Sequence, residues 1–241
     1  MPAGRRRGVL LDIEGTTTPI SFVYEVLFPF AAARLEEACA QAAASEPLGR
    51  AVAALRREHE EEKAAGAADL PAFGDGAPYA RHLMERDRKS PGLKTLQGLI
   101  WRRGYESGEL RGVVFDDVPE ALRRWHEAGL RLRVFSSGSV LAQKLLFSTT
   151  EHGDLTVFFE GFHDTGAGPK KEASSYLAIA DAFALPPAEI LFLSDVVDEL
   201  DAAAAAGMAT GLARRPGNKP ADAHGHSPHR SFQELDAVLG I

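Results

Sequence analysis

The chain has 241 residues, 45% of them hydrophobic and 25% charged, which excludes a collagen-like or wholly disordered polypeptide. That length buries a core without disulfide or metal staples. With 34 acids against 27 Lys and Arg the net charge is -7, so no basic balance points to nucleic acid as a partner.

Arg5, Arg6 and Arg7 read as a solvated tail, and the apolar stretch behind them is too short for a signal segment. Val9-Leu10-Leu11 is a short apolar run that predicts a buried strand ending at Asp12. From Pro19 to Leu110, Ala, Glu, Arg and Leu dominate and strand signals nearly vanish, so this stretch reads as helical. Within it, residues 66–78 read as a loop, 79–88 as a helix, and 93–103 as another that Gly104 ends. Cys39, the only cysteine, sits in a helical stretch as a packed or idle thiol. It excludes an internal disulfide and a cysteine zinc cluster, and it suits a cytoplasmic protein.

After Val113 strands and helices alternate: helix 119–128, strand 130–135, helix 140–147, helix 171–183, strand 190–193, helix 199–206 and strand 209–213. Ser231 is placed to cap a last helix through Leu239. No apolar run reaches the ~18 residues of a membrane helix. The alternation predicts an α/β fold with a parallel sheet. The helical stretch after the first strand is too long for a loop, which implies an inserted helical domain. The expected division is an α/β core of residues 1–18 and 112–241 and a helical domain of residues 19–111.

In open α/β sheets ligands sit beyond the carboxyl ends of the strands. Asp12-Ile-Glu-Gly-Thr follows the first strand, Ser136-Ser-Gly-Ser follows the second, and Ser194-Asp195 follows the run 190–193. Gly166-Ala-Gly-Pro169 delivers Lys170 at the start of a helix. That set suits phosphoryl transfer through a covalent intermediate. An ionised Asp12 attacks phosphorus without first losing a proton. The obstacle is repulsion of about 4 kcal/mol for two unit charges ~4 Å apart at an effective dielectric of 20, doubled for a phosphate dianion. Mg²⁺ held by Asp12 and Asp195 removes it, and Lys170 adds a second positive charge. The Ser136 hydroxyl and the amides of Ser137 and Gly138 are placed to hold phosphate oxygens at a helix N-terminus. Glu14 is placed to protonate the leaving oxygen and to activate the water that follows.

Asp12-Ile-Glu-Gly-Thr, Ser136-Ser-Gly, Lys170 and Asp195 together resemble the four motifs of the haloacid dehalogenase-like hydrolases. The resemblance implies a Rossmann-like core, a helical cap inserted after the first motif, an aspartyl-phosphate intermediate and Mg²⁺. Most phosphatases of that superfamily carry Asp where this chain has Glu14. With that Glu, the run Asp-Ile-Glu-Gly-Thr-Thr-Thr-Pro-Ile is similar to the enolase-phosphatase branch. Leu93-Lys-Thr-Leu-Gln-Gly98 with Trp101, Ala142-Gln-Lys-Leu-Leu-Phe147 and Arg215-Pro-Gly-Asn218 extend the likeness.

The branch's reaction would enolise 2,3-diketo-5-methylthiopentyl-1-phosphate and then dephosphorylate it to the acireductone, in methionine salvage. By motif matching, Asp12, Glu14 and Asp195 fall on metal positions, and Ser136, Ser137, Gly138 and Lys170 on substrate positions. Glu14 therefore carries two readings, ligand and acid/base. Lys171 adjoins Lys170 and leaves a one-residue slip open. Phe22, Leu96 and Trp101 are candidates for the methylthio tail, against ordinary packing. His224, His226 and His229 read as a solvated loop rather than a metal tract. The expected partner is a small phosphorylated metabolite, with no nucleic acid, no membrane and a monomeric chain.

Overall fold

The computed structural model describes residues 6–241, so Arg5 lies outside it. Arg6 and Arg7 are not a free tail. The Arg6 guanidinium donates to the Ala188 carbonyl, and Arg7 pairs with Glu189 at 3.0 Å. The described chain forms two compact units, one of the residues up to Val23 with Arg111–Ile241, the other of Tyr24–Leu110.

The first unit begins with β1 (Gly8–Leu11), buried along its whole length. The second unit is helical. A π-helical segment, Phe22–Leu27, leads into α1 (Phe28–Ala32), α2 (Leu35–Ala40), α3 (Glu46–Ala64), α4 (Ala77–Glu85) and α5 (Pro91–Ser107). Ser90 caps α5 by accepting from the Leu93 amide at 3.0 Å, with Pro91 in the first turn. That helix does not stop at Gly104 but runs on to Gly108, which takes the left-handed conformation. Gly104 is there for packing: a Cβ on it would lie 2.5 Å from the Phe30 ring. Trp101 and Leu96 are buried, and Trp101 Nε1 donates to the Leu27 carbonyl at 2.8 Å. Both side chains serve the packing of their own unit, and Phe22 is buried as well.

The chain then returns to the sheet through α6 (Val118–Glu127), β2 (Arg131–Phe135), α7 (Val140–Ser148), β3 (Gly161–His163), α8 (Ala173–Phe183), β4 (Ile190–Ser194), α9 (Val197–Ala205), β5 (Ala209–Ala213), β6 (Ser227–His229) and α10 (Asp236–Leu239). All five strand pairings are parallel, in the order β3-β2-β1-β4-β5-β6. Leu10, Phe135, Ile190, Phe192 and Leu212 join Tyr176, Ile179, Phe183, Leu200 and Ala203 from α8 and α9 in one apolar cluster. Strands covered on both faces lose the polar alternation of a half-exposed sheet, which is why the run 190–193 is continuously apolar.

Two short strands carry too little pattern to be read in advance. β3 contains Gly161, and β6 contains Pro228, which an edge strand tolerates because it needs fewer ladder donors. His229 therefore belongs to a strand rather than a loop. Ser231 makes no capping hydrogen bond; it precedes a 3-10 turn, Phe232–Leu235, before α10. No helix among the described residues is long and apolar enough to cross a membrane.

The strand order positions the site. The chain moves one way from β1 to β2 and β3, then crosses to β4 on the other flank. The carboxyl ends of β1 and β4 therefore frame the topological switch point where such sheets bind ligands.

Candidate active site

The register Leu11↔Leu193 brings the residues after β1 and β4 side by side, and the Asp12 amide donates to the Leu193 carbonyl at 3.0 Å. Asp12 is 2% exposed. Its Oδ1 accepts from its neighbour Ile13 N–H at 2.8 Å and from Lys170 Nζ at 2.7 Å. The Ser194 hydroxyl lies 2.9 Å from Asp12 Oδ2 and 3.1 Å from Glu199 Oε2.

Lys170, 7% exposed, bridges two carboxylates: Nζ is 2.6 Å from Glu199 as well as 2.7 Å from Asp12. Tyr176 holds it from behind, its hydroxyl donating to the Lys170 carbonyl at 2.7 Å. Lys171 faces the other way, exposed and paired with Asp198 at 2.6 Å, so the lysine of the site is Lys170.

Ser136 is buried at the end of β2, and its hydroxyl donates to Glu14 Oε2 at 3.3 Å. The Gly138 amide donates to Ser136 Oγ at 3.1 Å, so it orients that hydroxyl. Ser137 is exposed. Ser139 caps α7 through the Ala142 amide at 3.2 Å. Gln143 ties this loop to β3, donating to the carbonyls of Gly138 and His163 at 2.9 and 2.8 Å.

The loop carrying Glu14 is a tight turn. The amides of Thr16, Thr17 and Thr18 all donate to the Ile13 carbonyl at 2.9–3.1 Å. Gly15 has φ +67°, and a Cβ on it would lie 2.4 Å from Asp195 Oδ2, so Asp195 closes directly over this glycine. Arg215 holds the same loop from below. Its Nε donates to the Thr16 carbonyl at 3.0 Å, and its Nη1 pairs with Asp117 at 2.8 Å.

Electrostatically the cluster is short of positive charge. Asp12, Glu14, Asp195 and Glu199 share one buried ammonium. Burial first, then the Asp12 charge, pushes the Asp195 carboxyl up to about 7 and the Glu199 carboxyl up to about 8. The same two causes raise Glu14. Burial alone would lower Lys170, but Asp12 and Glu199 reverse that and hold it above the usual lysine range.

Asp12, Glu14, Ser136, Lys170 and Asp195 thus converge, while Ser137 stays at the rim. Glu199 and Ser194 join them. In the sequence Glu199 looks like a helix-N-terminal acid, and only the pairing of β1 with β4 sets it beside Lys170. The histidine tract lies elsewhere. His224 and His226 bracket Asp201 at 3.0 and 2.9 Å, which the sequence did not show. Among the described residues no group of three His, Cys, Asp or Glu side chains is gathered tightly enough to cage a metal ion by itself.

A family model described as haloacid dehalogenase-like hydrolase matches residues 7–207. The chain is 48% identical over 232 residues to an enolase-phosphatase E1 of Synechococcus elongatus, covering 94% of this chain and 96% of that protein. It is 46% identical over 230 residues to an enolase-phosphatase E1 of Pseudomonas aeruginosa, covering 95% and 97%. The chain belongs to the enolase-phosphatase E1 branch of the haloacid dehalogenase-like hydrolases. Among solved structures, the UTR4 protein of Saccharomyces cerevisiae superposes with a TM-score of 0.78 at 35% identity, covering 95% of this chain and all of that one. CbbY from Rhodobacter sphaeroides, at 18% identity and a TM-score of 0.62, shares the fold. In this member of the family, every motif position quoted from the sequence lies in the unit that carries the sheet, except the run 93–98 with Trp101.

Proposed function

We propose that this chain converts 2,3-diketo-5-methylthiopentyl-1-phosphate to the acireductone and phosphate in methionine salvage, by enolisation followed by dephosphorylation through an aspartyl-phosphate on Asp12. One observation carries the reading: a buried Asp12 at the carboxyl end of the central strand, with Lys170 2.7 Å from the same carboxylate.

The donor set fits a divalent cation. Four carboxylates face one ammonium, and Asp195 compensates by rising to about 7. A tight protein cage is unnecessary, because Mg²⁺ binds through one or two carboxylates and takes its remaining oxygens from water and substrate phosphate. Asp12 and Asp195 would hold it. Bound there, Mg²⁺ supplies charge neutralisation for the phosphate and polarises an oxygen of the diketone. The Glu14 carboxyl is engaged with the Ser136 hydroxyl, which supports proton transfer over ligation as its task.

In this scheme Lys170 holds Asp12 at a fixed angle and meets the phosphate as a point charge. When phosphate binds, Ser136 would turn its hydroxyl from Glu14 to a phosphate oxygen, and the N-terminus of α7 favours the same negative charge. A carboxylate oxygen of Asp12 forms the new P–O bond while the bond to the enediol oxygen breaks. Glu14, whose carboxyl burial and then the Asp12 charge push above the usual carboxylate range, is placed to give a proton to that leaving oxygen. As a carboxylate it then removes a proton from the water that attacks the aspartyl-phosphate, which returns Asp12 and releases phosphate.

The deciding experiment supplies the diketone phosphate with Mg²⁺, with and without a chelator. The reading expects an enediol absorbance followed by phosphate, both lost with chelator. Phosphate released from other small phosphomonoesters, with no enediol from the diketone, would instead mark a plain phosphomonoesterase.

A further inference from the structure

One side chain close to the reacting groups has no part in the chemistry above. Asn218 follows β5, and its Nδ2 donates to the Gly15 carbonyl at 2.8 Å and to the Ala213 carbonyl at 3.0 Å. Two carbonyl acceptors fix the amide's orientation, because the flipped amide would set its oxygen against both. Oδ1 therefore points away from them, buried and without a hydrogen-bond donor. It lies against the same glycine as Asp195. A Cβ on Gly15 would be 2.9 Å from Asn218 Oδ1 and 2.4 Å from Asp195 Oδ2. Asn218 and Asp195 also border a common cleft of about 150 Å³.

The arrangement is a bracket. One end of the amide ties the main chain of Gly15 to the end of β5. The other end stands beside the carboxylate that closes over that glycine. Gly15 sits between Glu14 and the three threonines, so its position sets how near the first loop and Asp195 approach each other. Without the amide, the Gly15 and Ala213 carbonyls would lose the donor they share.

We propose that Asn218 is a positioning residue for the cation end of the site: by pinning the Gly15 carbonyl it holds the loop after β1 where Asp195 and Asp12 act on one ion. The inference rests on the Mg²⁺ reading of Asp12 and Asp195. Asn218 acts through the main chain and touches neither phosphate nor leaving group.

Calorimetric Mg²⁺ titration of Asn218→Ala and of Asn218→Leu, which keeps bulk but donates nothing, tests this together with thermal unfolding in chelator. Side chains that orient metal ligands alter metal affinity about 10- to 100-fold when removed. Both variants are expected to bind Mg²⁺ more weakly by that factor, to recover kcat at high Mg²⁺, and to keep the wild-type Tm in chelator within a few degrees. Unchanged Mg²⁺ affinity overturns the inference, as does a loss that only follows the unfolded fraction. A measurement on the wild type covers the case in which the variants do not fold. The side-chain amide resonances of Asn218 should shift and gain exchange protection when Mg²⁺ is added, and their indifference also overturns it. Wild type that binds no Mg²⁺ removes the cation reading itself; Mg²⁺ binding that the variants share removes only the role of Asn218.

Discussion

Lys170→Met replaces the one ammonium of the buried cluster with an uncharged side chain of similar length. Nζ lies 2.7 Å from Asp12 and 2.6 Å from Glu199, with only 6% of the lysine side chain exposed. Deleting one partner of a buried ion pair costs about 3–5 kcal/mol, because the other charge stays behind unpaired. Asp12 retains the Ile13 N–H at 2.8 Å, and the Ser194 hydroxyl stands between it and Glu199 at 2.9 and 3.1 Å, so these softer contacts remain. The expected loss in metal-free protein at pH 8 is therefore about 3–5 kcal/mol. The sign of its pH dependence follows from the acids. Asp195 and Glu199 are already raised to about 7 and 8, and Lys170 acts to lower both. Removing it raises them further, so the folded variant holds protons that the unfolded chain has released. A folded state that binds more protons loses stability as pH rises. The deficit should therefore shrink between pH 8 and pH 5.5. Urea unfolding in chelator, followed by far-UV circular dichroism at both pH values, reads it as a shift in midpoint at constant slope. Adding Glu199→Gln to Lys170→Met should recover at least about 1 kcal/mol as a coupling energy. An equal deficit at both pH values, or wild-type stability at pH 8, would refute the reasoning.

Gly15→Ala places a Cβ 2.4 Å from Asp195 Oδ2 at a residue with φ +67°, so it should displace Asp195 and lower both Mg²⁺ affinity and turnover; kinetics matching wild type would contradict the close approach. The Cys39 thiol is pushed up to about 11 by burial, then by Asp75 and Glu36. At pH 8 about 0.1% of it is thiolate. Ellman's reagent should therefore react slowly with native protein and fully in urea, and rapid native labelling would count against that burial.

Much of the site was legible because its groups sit at strand ends, where a short apolar run followed by an acid or hydroxyl is a local signal. Asp12, Ser136 and Asp195 carry that signal, and the Gly-Pro approach marks Lys170. Glu199 and Asn218 carry none, since their meaning depends on which strands pair. Glu199 reaches Lys170 only because β4 lies beside β1, and Asn218 reaches Gly15 only because β5 lies beside β4. The edge strands β3 and β6 leave no signal in the sequence because three residues with a Gly or a Pro carry no periodicity. Gly104 misled in the other direction. A glycine inside a helix reads as a stop, and only the Phe30 ring packed on it reveals that a close contact requires it.

The chemistry depends on a carboxylate oxygen of Asp12 taking the phosphoryl group. Rapid quenching of enzyme turning over the diketone phosphate, followed by peptide mass spectrometry, measures this directly. The phosphoryl mass should appear on the peptide containing Asp12 during turnover and be absent from Asp12→Asn, which should fold and release no phosphate. Undiminished phosphate release by Asp12→Asn, or a phosphoryl group on a different side chain, would contradict it.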